Sequence, residues 1–168
     1  MIKQNIRYII LFLVSVLVQT LIFDRIYITS YFSVYVYFLF ILLLPVNANK
    51  YTVMALAFLL GLSVDIFNST QGLHAAATVL LAYLRPFALR FFSPRDDYEP
   101  NKDLSVRNYG LIWFLKYAGV LIFTHHLFLF YLELFSFSFF FFTLLRVVLS
   151  SIISLFFVSL GHFLFVRE

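Results

Sequence analysis

An all-α integral membrane protein, folded as a compact bundle of six transmembrane helices, is the fold class this sequence predicts. Two observations carry that reading. The 168 residues are 63% hydrophobic with a mean hydropathy of +0.97, above the apolar share of a soluble domain, so a water-facing surface cannot be assembled from them. Charged residues make up 12% of the chain and gather in short islands between long apolar stretches. Crossing a hydrocarbon core of about 30 Å takes about 20 apolar residues as helix. A single domain over residues 1–168 therefore has room for five or six crossings and for no separate soluble domain.

The elements follow in order from charge and turn residues. Lys3 and Arg7 precede the apolar run 8–23, which resembles a signal sequence but ends Ile22-Phe23-Asp24-Arg25 without a small-residue cleavage site, so it reads as a retained first span. Further spans are expected at 31–46, 51–66, 73–92, 109–135 and 139–165. Several are short for a straight crossing, which calls for helix ends in the interface and local thinning of the bilayer. With the N-terminus inside, Lys3, Arg7, Lys50, Arg85, Arg90, Arg95, Lys102, Arg107 and Arg167 fall on the inner side and Arg25 outside, so both termini are expected in the cytoplasm. Lys116, a short way into the fifth span, snorkels inward in this layout. Tyr27, Tyr31 and Tyr35 fall at the outer edge of the second span, and Phe135 to Phe142 reads as an aromatic belt. Ser93 to Asn108, with Pro94, Pro100 and charges of both signs, reads as a solvated linker or as a surface for a cytoplasmic partner.

Composition and motifs exclude much chemistry. The absence of cysteine rules out disulfides, thiolate metal sites and cysteine nucleophiles. The net charge of +4 sits on residues that flank spans, where it sets topology, so nucleic acid is not implied. The sequence has no Gly-rich phosphate loop, HExxH or GxSxG, so neither enzyme activity nor a cofactor is expected. His125 and His126 are adjacent and diverge by about 100° on a helix, with no carboxylate or cysteine spaced to complete a metal set. His162 reads as interfacial. Asn68-Ser69-Thr70 is a sequon short enough to arise by chance.

The polar stretch from Gly61 to His74 carries the most organised signal. Ala57, Gly61 and Asp65 share one helix face, a small-residue groove ending in a carboxylate, and His74, Thr78 and Ala82 form a matching stripe beyond the turn at Gly72. Two readings follow: Asp65 and His74 cap helix ends, or they form a rim that binds a partner or substrate. Arg146 lies about 13 Å into the sixth span, where an unpaired arginine costs about 2.5 to 3.5 kcal/mol. Asp65 and Glu133 are its candidate partners, and the sequence favours Asp65. Ser150 and Ser154 give a small-xxx-small spacing suited to helix packing.

The run Gly61-Leu62 with Asp65, a polar turn, Gly72-Leu73-His74, and a small-residue helix reaching Leu81-Ala82-Tyr83-Leu84-Arg85 resembles the central hairpin of the bacterial rod shape-determining protein MreD family. Chain length, Gln19 near the end of the first span, and the basic exit after the fourth also resemble that family. The resemblance implies a non-enzymatic scaffold in the bacterial cytoplasmic membrane that works with MreC, MreB, RodA and a penicillin-binding transpeptidase in lateral peptidoglycan synthesis. It also implies a fold similar to the substrate-binding subunits of energy-coupling-factor transporters. A vitamin-binding subunit of that class is the rival reading; it needs polar groups converging near the outer face, for which Asp65, Asn68, Gln71, His74, Glu133 and Arg146 are available. A channel or proton relay needs a polar file, and the second span offers no strongly ionisable residue.

Overall fold

The computed structural model describes residues 2–25, 32–94, 97–99, 104–134 and 139–165. Tyr27, Tyr31, Arg95, Pro100, Lys102, Arg167 and part of the Phe135 to Phe142 run lie outside the described residues. Helix α1 (Ile2–Leu21) runs into a 3-10 turn at Phe23–Arg25. It is followed by α2 (Leu39–Leu42), α3 (Lys50–Asn68), α4 (Leu73–Phe91), α5 (Val106–Tyr109), α6 (Leu111–Leu134) and α7 (Phe140–Phe165). No strand occurs among the described residues.

Four stretches, Ile6–Arg25, Lys50–Asn68, Leu111–Leu134 and Phe140–Leu164, are long and apolar enough to cross a membrane. Their polarity is inverted relative to a soluble fold. Ile9, Leu13 and Leu17 of α1 and Ile152, Phe156 and Leu160 of α7 are exposed, while Ser15, Gln19, Thr20, Ser150 and Ser154 of the same helices are buried. An apolar exterior around a polar-bearing interior is what a lipid solvent selects. Helix α4 is as long as α3 but is not among the four. It carries His74, Arg85 and Arg90, and its buried face is rich in alanine.

The second expected span departs from the six-helix layout. Where the sequence predicts a helix over 31–46, residues 32–36 run extended and a single helical turn closes at Leu39–Leu42. Val36 to Leu44 are 8% exposed or less, so this segment fills the interior. An extended chain advances about 3.3 Å per residue against 1.5 Å in a helix, so a non-helical run of this length reaches further than the same residues would as helix. Non-helical backbone at membrane depth survives where it is buried in protein that satisfies its polar groups. Gln19 Nε2 donates to Val34 O at 3.1 Å and its Oε1 accepts from Val36 N at 2.8 Å. Ser150 Oγ accepts from Ser33 N at 3.0 Å, and Ser154 Oγ from Tyr35 N at 2.9 Å.

That serine pair adds backbone capture to the helix-packing spacing read from the sequence. Two extended residues advance about 6.6 Å and four helical residues about 6.0 Å, so serines one turn apart on α7 meet alternate N–H groups of the segment alongside. Ser150 and Ser154 accept the bonds that a neighbouring strand would accept in a sheet.

Toward the far end of the segment, Tyr117 donates to Leu42 O at 3.2 Å, and Arg85 donates to Leu44 O, to Pro45 O at 3.2 Å, and through Nε to Tyr117 Oη at 3.1 Å. Arg85 is 3% exposed; carbonyls at the end of the α2 turn and a phenol take its donors in place of water. The described part of the Ser93 to Asn108 stretch is mixed: Ser93, Asp97, Glu99, Arg107 and Asn108 are exposed, whereas Leu104 and Ser105 are buried and other residues bond to the helices beside them. Tyr98 donates to Leu89 O at 2.8 Å, Trp113 Nε1 to Phe92 O at 2.9 Å, and Val106 N to His162 Nε2 at 3.3 Å. His162, in the last turn of α7, is buried against its neighbours.

Candidate functional site

The α3–α4 hairpin positions the polar residues at the opposite end. A Cβ on Gly61 would come 2.5 Å from Ala75 Cα and 2.6 Å from His74 O, so the backbones of α3 and α4 touch and no side chain fits between them. Ala57 and Asp65, one turn to either side, are buried on the same face. Gly72 takes φ +89°, the left-handed region open to glycine, and nothing lies within 4 Å of the place a Cβ would occupy. It also offers no side-chain cap to α4.

Asp65 supplies that cap from the neighbouring helix. Its Oδ1 accepts from His74 N at 3.0 Å and Thr70 Oγ1 at 2.5 Å, and its Oδ2 accepts from Ala75 N at 2.8 Å. A carboxylate on free backbone N–H groups at a helix start is favoured by hydrogen bonding and by the helix dipole. His74 Nδ1 lies 3.1 Å from Asp65 Oδ1 and 3.0 Å from Thr70 Oγ1. The Thr70 proton goes to the carboxylate, so Nδ1 carries the imidazole proton. Nε2 of His74 is buried with no hydrogen-bond partner among the described residues.

A cluster of rings surrounds that nitrogen. The Tyr35 ring lies 5.3 Å from His74, 6.2 Å from His125 and 5.5 Å from His126, centroid to centroid. Tyr35 thus packs its ring against three histidines. The adjacent histidines diverge as helix geometry requires, and because α6 stands between α4 and α7 both find partners. Tyr37 Oη is 2.7 Å from His125 Nε2 and 3.1 Å from Thr78 Oγ1. Thr78 Oγ1 donates to His74 O at 2.6 Å and toward Tyr37 Oη, and the Tyr37–His125 bond joins that pair to α6. On the other side, Ser154 donates to His126 Nε2 at 3.2 Å, while His126 Nδ1 donates to Ile122 O at 2.8 Å. One hydroxyl, Ser154, joins the extended segment, α6 and α7.

Arg146 does not reach Asp65. Its Nη1 donates to Glu133 Oε2 at 3.0 Å and its Nη2 to Ser33 Oγ at 3.2 Å, with the guanidinium carbon 4.2 Å from the Phe130 ring centroid. The reason is angular. Asp65 faces α4 with both oxygens engaged there, whereas Glu133 stands across the α6–α7 turn. Of the remaining polar candidates, Asn68 Nδ2 donates to Asp24 Oδ2 at 2.6 Å, and Gln19 Nε2 to Asp24 Oδ1 at 2.7 Å, which ties α1 to α3. Gln71 lines a surface groove of about 770 Å³ together with Phe58, Leu62, Asp65, Gly72 and Ala75.

Chemically, Asp65 and His74 form a carboxylate–imidazole pair, but among the described residues no nucleophile meets Nε2 and no three His, Asp or Glu side chains converge to hold a metal ion. The arrangement holds the helices and the extended segment together. Sequence reasoning missed Gln19, Tyr37, Arg85 and Tyr117 as parts of this framework; the signal was their polarity at span depth, which demanded partners that an all-helical layout did not provide. No family model, curated protein or solved structure matches this chain.

Proposed function

We propose that this chain is a non-enzymatic membrane scaffold of the bacterial cell-elongation machinery, the role implied by its resemblance to the MreD family, with MreC as its direct partner. MreB, RodA and a penicillin-binding transpeptidase complete the assembly that it organises. In this reading the five long helices and the extended segment make six passes through the cytoplasmic membrane, with both termini and the Arg85 end inside.

The observation that supports the reading is the groove along the α3–α4 hairpin. It is shallow and open to the side, its Gly72, Ala75 and Ala76 edge admits a close backbone, and Asp65 stands at its end. A partner's membrane helix fits such a surface. The bundle interior, where a vitamin-binding subunit needs room, is occupied by residues 36–44.

Depletion in the native organism tests the proposal, with cell shape and nutrient requirement recorded together. Rounding with loss of MreC recovery is expected. Normal rods with a vitamin auxotrophy would assign the chain to the transporter class instead. Topology is tested separately in this cysteine-free chain: Arg107→Cys should resist an impermeant thiol reagent applied from outside, and labelling there would reverse the orientation.

A further inference from the structure

A second groove, of about 620 Å³, runs between α4 and α6 toward the Arg85 end and owes nothing to the partner reading. Leu84, Phe87, Ala88 and Phe91 form one wall, and Val120 and Thr124 stand on the other. The hydroxyl of Thr124 is already committed to Leu121 O at 3.0 Å, so the groove makes no polar demand along its length. Its mouth differs. Arg90 lines it from the last turn of α4. Lys116 precedes Val120 and Thr124 at spacings of four and eight on α6, which places it on the same face one turn nearer the helix start. Arg90 and Lys116 are both exposed, and neither side chain makes a hydrogen bond or ion pair among the described residues.

An occupant matched to this shape is apolar along most of its length and anionic at one end, and it approaches from the side on which the exposed apolar surface of the protein lies. We propose that the α4–α6 groove is a binding site for an acidic glycerophospholipid, with an acyl chain laid between the two helices and the phosphate held between Arg90 and Lys116. Both cations sit near helix ends, at the depth where headgroups meet basic residues. A helix from another protein would need an acidic residue at that one height to match the pair, whereas an acidic lipid offers its charge there by construction.

The test uses the purified full chain in zwitterionic detergent, titrated with palmitoyl-oleoyl phosphatidylglycerol or the matching phosphatidylcholine, with bound lipid counted by native mass spectrometry. The parent should retain phosphatidylglycerol in preference to phosphatidylcholine. Arg90→Gln and Lys116→Gln should each weaken phosphatidylglycerol about fivefold and leave phosphatidylcholine unchanged. Arg107→Gln, at the same end but off the groove, should change neither. Val120→Trp fills the groove from an exposed position that folding tolerates, and should weaken both lipids. Equal retention of the two lipids by the parent would overturn the site. So would an effect of Arg107→Gln equal to that of Arg90→Gln, or full retention by Val120→Trp, since each would leave surface charge alone as the cause. Displacement of phosphatidylglycerol by co-purified protein at the same residues would assign the groove to a partner helix and overturn the lipid reading.

Discussion

Replacing Ser154 by alanine deletes one hydroxyl and two interactions. The Tyr35 N–H, 2.9 Å away, loses its acceptor, and His126 Nε2, 3.2 Å away, loses its donor. Both sit in an interior where Ser154 and His126 are 0% exposed, so water does not replace the hydroxyl cheaply. A buried polar group left unmade costs about 1 to 3 kcal/mol. Side-chain hydrogen bonds between membrane helices average nearer 0.6 kcal/mol, because the unfolded reference in lipid also finds partners. An extended backbone N–H has fewer such alternatives than a side chain, which places the expected loss at about 2 kcal/mol, roughly thirtyfold in the folding equilibrium. Ser159→Ala is the control on the same helix, since its hydroxyl bonds only its own turn, to Leu155 O at 2.7 Å, and should change stability by less than about 0.5 kcal/mol. Equilibrium unfolding in mixed micelles, followed by circular dichroism, reads both. Equal small losses at Ser154 and Ser159 would refute the claim that α7 substitutes for a neighbouring strand.

Three further outcomes follow from the same geometry. Gly61→Ala should destabilise by about 1 to 3 kcal/mol through overpacking, because its Cβ meets backbone rather than a movable side chain; Phe58→Leu, at an exposed position, should not, and parity of the two in thermal unfolding would sink the close approach. A double-mutant cycle of Asp65→Asn with Arg146→Gln should be additive, while Glu133→Gln with Arg146→Gln should couple by about 0.2 to 1 kcal/mol, as for a partly exposed ion pair; the opposite pattern would restore the Asp65 pairing. Burial pushes the Tyr98 phenol up from its ordinary value of 10.0 to about 12. The folded state therefore favours the neutral phenol, a stabilisation complete below pH 10 and lost between pH 10 and 12. Emission from Trp113, the single tryptophan, should report local undocking in that window, and Tyr98→Phe should abolish the transition if Tyr98 causes it.

The hairpin was legible because its signal is local: Ala57, Gly61 and Asp65 recur at the helix period, and that period fixes a face without knowledge of the neighbour. The helices α3, α4, α6 and α7 likewise lie close to their charge-bounded runs. The second expected span was not legible by that route, since a short apolar run reads the same whether it is a buried strand or a buried helix. Its composition held a clue in Tyr31-Phe32-Ser33-Val34-Tyr35-Val36-Tyr37, dense in residues that favour extended backbone. Arg146 shows a different limit. Counting residues gave its height in the bundle, but height does not fix azimuth, and azimuth decided between Asp65 and Glu133.

The extended segment that α7 holds has a consequence for how the chain is made. Ser33 and Tyr35 bond to serines 117 and 119 residues later in the sequence. While α1 leaves the ribosome and enters the bilayer, residues 32–44 have no acceptor for those N–H groups, and an unpartnered extended backbone is not tolerated in hydrocarbon. The interior around residues 32–36 is therefore completed only when the last helix of the chain is in place, so its packing closes out of chain order.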